Sequence, residues 1–357
     1  MATLLDVSSL TLNPKEETDF ERFVFERIYE QPLLNAIHRV YTGVTMKEQI
    51  VLAGQFGKTG IKDSNCARPT SGAALSLTEK FWDPANFGDT FAHCQAEVNS
   101  LFKAYYDKIQ SYGDRYDIEG STEFAFIAAR IEESAYRAIF RIAWFGDKDA
   151  AVADVGTAGL ASAADVKFYN IIDGIWKQVF AAVAATTMQN ITLQASVKAT
   201  FEAMHEAADT RLRTAEDAMF LVSRKIWDRY KKELRAASEA FTVDYTMNGL
   251  PSITWDGKTV VNMETVWDLY TPDFIDETGG DTLLPDRILF TVKDNIPIGT
   301  LNENDFTTLE SWYERKDRKN NIAYGSTIDA KLLEEYMAVA SYGVLPDDSP
   351  APSAPSN

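Results

Sequence analysis

STEFAFIAARIEESAYRAIFRIAWFGD, residues 121–147, carries the strongest helical period in the chain. Phe124, Ile127, Ile131, Ala135, Ala138, Ile142 and Phe145 recur every three or four residues, which places them on one face of a helix. Ser121 or Thr122 can cap the start, Glu133 can pair with Arg137 one turn on, and Gly146 can end the helix. The pattern predicts a helix over 121–145 of about 25 residues, roughly 37 Å long, a spine on which other elements can pack.

Upstream of the spine, NPKEETDFERFVFERIYEQPLL (13–34) reads as an acidic helical arm, with Pro14 at an early helical position. Residues 41–84 then mix β-branched residues with Gly, Ser, Asn and Pro, and read as a long hairpin-like excursion. Loops of this length are uncommon in compact domains and usually act outside their own core. The excursion holds Lys47, Lys58, Lys62, Arg68 and Lys80 against Glu48, Asp63 and Glu79. The arm holds Glu16, Glu17, Asp19, Glu21, Glu26 and Glu30 against Lys15, Arg22 and Arg27, so the two extensions carry opposite charge. Helical patterning is expected to resume in FAHCQAEVNSLFKAYYDKI (91–109).

Downstream, a Gly- and Ala-rich stretch at 147–164 marks a lobe boundary. Residues 165–184 read as a short segment, a turn at Asp173 and Gly174, and an amphipathic stretch around Ile175 and Trp176. SVKATFEAMHEAADTRLR (196–213) places Val197, Phe201, Met204, Ala208 and Leu212 on one helical face. In DAMFLVSRKIWDRYKKELRAA (217–237) the period switches: 218–222 is an apolar run of strand length, then Ser223 can cap a helix with Ile226, Trp227, Tyr230 and Leu234 inward. Short strands are expected within 246–262 and 286–299, and the Pro- and Ser-rich tail 346–357 is not expected to pack in an isolated subunit.

The 357 residues, 45% hydrophobic and 25% charged, fit a folded chain of two lobes with extensions. A net charge of −18 argues against tight nucleic-acid binding, which needs Lys and Arg to displace counterions. Cys66 and Cys94 have no metal-like or disulfide-framework spacing, and neither an export signal nor a membrane span is expected. LAGQFGKTG (52–60) ends like a phosphate-binding loop at Gly57, Lys58 and Thr59, but Leu52 stands where the motif needs its first glycine. His38, His93 and His205 are scattered. The acidic group Asp273, Asp276, Glu277 and Asp281 lacks the spacing of a calcium loop and reads as solvated. Trp144, Trp176, Trp227 and Trp267 fall on helical or strand faces as core or interface anchors. No catalytic, cofactor-binding or metal-ligating residue is assigned.

The order of parts, and the phrases RIEESAYRAIFRIAWFGD, FYNIIDGIWKQ, AADTRLRTAEDAMFLVSRKIWDRYKKEL, DRILFTVKDNIPIGT and IDAKLLEEYMAVASY, resemble the major capsid proteins of tailed bacteriophages over about 81–342. The resemblance implies an α+β, HK-97-like fold: N-terminal arm 1–39, extended loop 40–78, peripheral lobe 79–164 with the spine helix, axial lobe 165–286, a return to the peripheral lobe over 287–343, and a tail 344–357. It implies hexamers and pentamers of one chain enclosing double-stranded DNA without sequence-specific contacts. It also implies portal, scaffold or decoration partners, no membrane, and a place in the virion capsid after assembly in the host cytoplasm. Because the sequence begins almost at the arm, a separate scaffold or none is expected. The alternatives are an encapsulin-type shell and a nucleotide hydrolase using 54–59.

Overall fold

The computed structural model describes residues 36–44, 48–56, 58–59, 61–62, 75–94, 134–135, 137–237, 243–247, 250–278, 281–301, 310–314 and 319–346. The acidic arm before residue 36, the first part of the spine at 121–133 and the tail beyond 346 lie outside them.

In chain order the strands are β1 (Val40–Tyr41), β2 (Gln49–Phe56), β3 (Leu75–Phe81), β4 (Ala85–Cys94), β5 (Gly159–Leu160), β6 (Gln189–Asn190), β7 (Ala218–Val222) and β8 (Asp244–Met247). They continue as β9 (Leu250–Trp255), β10 (Lys258–Asn262), β11 (Phe274–Ile275), β12 (Asp286–Val292), β13 (Ile298–Gly299), β14 (Glu310–Glu314), β15 (Lys319–Ala330) and β16 (Ala338–Gly343). The helices are α1 (137–145), α2 (Val166–Tyr169), α3 (Ile175–Ala184), α4 (Val197–Ala207), α5 (Thr210–Thr214) and α6 (Arg224–Ala236).

A seven-stranded sheet of order β6-β16-β12-β7-β10-β9-β8 organises the larger body. Its middle strand, β7, is buried at all five positions, as a run of Ala, Met, Phe, Leu and Val with both edges paired requires. Alternation sorts its side chains between two cores. Met219 and Leu221 join α1, α3 and the Trp144, Trp176 and Trp267 cluster on one face. Ala218, Phe220 and Val222 join α4 and α6 on the other. Phe220 stacks on Phe290 of β12, directly opposite in register, with ring centroids 4.1 Å apart.

The period switch after Val222 is realised: α6 buries Ile226, Trp227, Tyr230 and Leu234. Ser223 does not cap it through its side chain. The Ser223 hydroxyl accepts instead from the Arg287 backbone N–H at 3.3 Å, and Asp268 accepts from Arg224 N–H at 3.0 Å, so a distant carboxylate supplies the cap. Residues 196–213 form two helices rather than one. Ala208 is extended and Asp209 starts α5 by accepting from Arg211 N–H at 2.9 Å, a local bond that competes with helix continuation. Glu233 of α6 accepts from Val197 N–H at 2.7 Å and Lys198 N–H at 3.0 Å, which ties the start of α4 to its neighbour.

A five-stranded sheet joins β1, β13, β15 and β14 in that order, with β4 also paired to β15. Here the reading of 91–109 needs correction at its start. Residues 91–94 complete β4, whose register runs from Ala85↔Ile328 to Cys94↔Lys319, because the ladder offered by β15 outweighs a local helical pattern. Residues 287–343 contribute to both sheets: β12 and β16 are interior to the seven-stranded sheet, whereas β13 and β15 belong to the five-stranded one. Gly146 does end α1, by close packing rather than a left-handed turn. A side chain there would lie 2.5 Å from the Ile142 carbonyl oxygen and 2.6 Å from that of Ile172.

Candidate functional site

The extended excursion is a two-stranded ribbon: among the described residues β2 pairs only with β3, antiparallel, from Gln49↔Phe81 outward. Its root is built firmly. Trp82 is buried, its N–H donates to Glu48 O at 2.9 Å, and its ring lies so close to Gly299 that a Cβ there would meet ring carbons at 2.8 and 2.9 Å. Lys80 donates to Leu332 O at 2.7 Å, Asp83 N–H donates to buried Asp329 at 2.7 Å, and Lys148 pairs with Asp83 at 2.5 Å. Burial raises the Asp329 pKa, and Lys331 opposes that shift. Away from the root the ribbon is open: Val51 is 56% and Ile61 50% exposed. Gly57 lies outside the described residues, β2 runs through Phe56, and Lys58 and Thr59 are exposed in irregular chain, not at the start of a helix.

His38 is fully buried against Phe140 and Trp144, at ring distances of 6.1 and 5.3 Å. Its Nδ1 lies 2.7 Å from the Ile296 carbonyl, which can only accept, so Nδ1 carries the proton and Nε2 is left without a donor. Burial lowers its pKa to about 4; the bond to Ile296 opposes the shift and Lys293 adds to it. His205 is half-buried between Trp255 and Phe290. His93 sits in β4 opposite Asn320, far in sequence pairing from both.

Two of the acidic residues around 273–281 have side-chain partners: Asp273 accepts from the Tyr169 hydroxyl of α2, and Asp276 accepts within its own loop from Thr278 N–H at 3.1 Å and its hydroxyl at 2.7 Å. Among the described residues no group of three or more His, Cys, Asp or Glu is placed to hold a metal ion, and no helix is long and apolar enough to cross a membrane. Trp144, Trp176 and Trp267 form one buried cluster, with ring distances of 5.0 Å from Trp267 to Trp144 and 5.1 Å to Trp176. Trp227 lies in the other core.

One arrangement was not anticipated from the sequence. Arg287 of β12 is buried, with its guanidinium 5.1, 5.0 and 5.6 Å from the ring centroids of Phe145, Trp176 and Phe180. Its Nε donates to Leu284 O at 2.9 Å and one terminal nitrogen to Leu283 O at 3.3 Å. Burial pulls its pKa down to about 9, with the charge of Asp268 acting the other way. It lines a cavity of about 310 Å³ together with Phe145, Leu160, Trp176, Phe274 and Leu283. The available signal was Arg at an inward-facing position of the alternating run DRILFTV.

No family model and no curated protein matches the sequence. Solved structures do. A chain of the satellite phage P4 procapsid matches with a TM-score of 0.51 at 12% identity, covering 91% of this chain and 98% of that one. A chain of Gordonia phage Cozz matches with a TM-score of 0.53 at 9% identity, covering 87% and 86%. The chain therefore has the α+β fold of tailed-bacteriophage capsid proteins.

Proposed function

We propose that this chain is a major capsid protein of a tailed bacteriophage, whose copies associate as pentamers and hexamers into an icosahedral head around double-stranded DNA. The observation that carries the reading is the β2–β3 ribbon, firmly rooted at Trp82 yet paired with no third strand among the described residues, on a chain with a phage-capsid fold. A two-stranded ribbon is marginal in water by itself, and exposed Val51 and Ile61 gain from a covering surface. A sister copy supplies that surface to every subunit at once, and about 1,600 Å² of total contact is ordinary for a stable interface.

In this reading the seven-stranded sheet with α3 to α6 is the axial lobe. The five-stranded sheet with α1 is the peripheral lobe, and residues 1–39 and the ribbon reach outward. The charge of −18 suits a wall that encloses DNA without gripping it. Portal, scaffold or decoration proteins are the expected partners, and the virion, filled after assembly in the host cytoplasm, is the expected location.

Negative-stain electron microscopy of the purified full chain tests the proposal. Rings or closed shells are expected, and a monodisperse monomer at every concentration would overturn it. Shells loaded with a cellular protein would redirect the reading to an encapsulin, and specific ATP binding lost in Lys58→Ala to a nucleotide-using enzyme.

A further inference from the structure

Arg287 is a buried cation without a carboxylate. Two of its five N–H groups go to the Leu283 and Leu284 carbonyls, and among the described residues no acidic side chain pairs with it. An isolated buried charge is costly unless something pairs with it, and three aromatic faces offset only part of that cost. Arg287 lines a largely apolar cavity of about 310 Å³, at the small end of the range for binding pockets. The opposite sign collects at the rim. Lys177 lines the same cavity and is held by Asp147, by Asp149 at 2.7 Å and by Asp173 at 2.9 Å, three carboxylates to one ammonium. The site thus offers a cation inside, apolar walls around it, and a net negative edge.

We infer that this cavity receives a carboxylate side chain from the acidic arm, residues 14–34, of a second copy of this chain, paired with the Arg287 guanidinium. The inference rests on the shell reading. The arm has the complementary pattern: Glu21 is followed by Arg22 and Glu26 by Arg27, with Phe20 just before the first pair and Phe23 and Phe25 between the two. A glutamate can reach the buried guanidinium while the adjacent arginine meets the acidic rim and a phenylalanine lies on the apolar wall. The other extensions do not fit. The ribbon is basic, and the tail 346–357 has Asp347 and Asp348 but no aromatic residue. The described chain begins at Ala36 and Ile37, which pack in the same core as Phe145 and Trp176, so the arm starts from the side of the sheet that holds the cavity.

The test uses the full chain with Val152→p-benzoylphenylalanine, a position that lines the cavity and is 42% exposed. It is co-assembled with isotopically heavy wild-type chain, imaged, and irradiated. The expected result is a crosslink from position 152 to a heavy-chain peptide within 14–34, with the yield falling about tenfold in Arg287→Leu and much less in Arg287→Lys. Particles that form without an arm crosslink, with a crosslink to the ribbon or tail, or with arm crosslinks confined to the same chain overturn this inference and leave the shell reading standing. Absence of any particle counts against both. A yield unchanged in Arg287→Leu overturns the pairing even if the arm is found there.

Discussion

Strands β7 and β2 are both rich in apolar residues, AMFLV against QIVLAGQF, yet their described side chains differ sharply in burial. Leu221 is wholly buried, while Val51 is more than half exposed. The difference lies in what covers them. β7 is paired on both edges and packed on both faces, by the tryptophan cluster on one side and by α4 and α6 on the other. Among the described residues β2 has one partner strand. The core strand is stabilised by its own chain, and the ribbon holds exposed Val51, an apolar side chain that the proposed association would remove from water.

The contrast can be broken or sharpened at four points. The largest effect on stability is expected at the centre: Phe220→Ala removes the ring stacked on Phe290 and should cost about 3–5 kcal/mol in urea unfolding of the unassembled subunit. A loss under about 1 kcal/mol would mean that β7 is not the keystone of the body.

Next comes acidification through His38. Its folded pKa of about 4 lies below the ordinary value of 6.5, so the unfolded chain takes up the proton first. The stability it protects is complete above pH 6.5 and is lost as pH falls toward 4, on the order of 3 kcal/mol in all. A pH series of unfolding midpoints should show that slope, and His38→Phe should flatten it; an identical slope in the variant would assign the acid sensitivity elsewhere.

The third point is the junction between rigid body and ribbon. Gly299→Ala drives a methyl group into the Trp82 ring and should cost about 1–3 kcal/mol, with a shift in tryptophan emission as that ring moves. Unchanged emission and stability would detach Trp82 from the root. The smallest stability effect is expected at Val51→Ser, within about 0.5 kcal/mol of wild type in the free subunit, because the side chain has little to lose there. Shell yield should nevertheless fall, as measured by sedimentation. Normal shells from this variant would remove the ribbon from the assembly surface.

A local signal suffices where one short segment decides its own structure. The switch from strand to helix across 218–236 is visible because its period changes from two to 3.6. The turn at Asp256 and Gly257, both at positive φ, is marked by a residue pair suited to that backbone. Where a distant segment competes, the reading failed. Residues 91–94 carry a helical pattern but pair with β15, and the cap of α6 comes from Asp268, 44 residues away from Arg224.

By itself, then, the sequence determined the apolar faces, the period of most elements, the opposite charges of arm and excursion, and hence the capsid-like order of parts. Those properties depend on neighbours within a few residues. Only the tertiary structure decided that β12 and β16 join the larger sheet while β13 and β15 leave it, and that Arg287 lines a cavity with no carboxylate paired to it among the described residues. Strand partners and the surroundings of a buried charge are set by segments far apart in the chain, and an alternating apolar pattern fits more than one partner equally well.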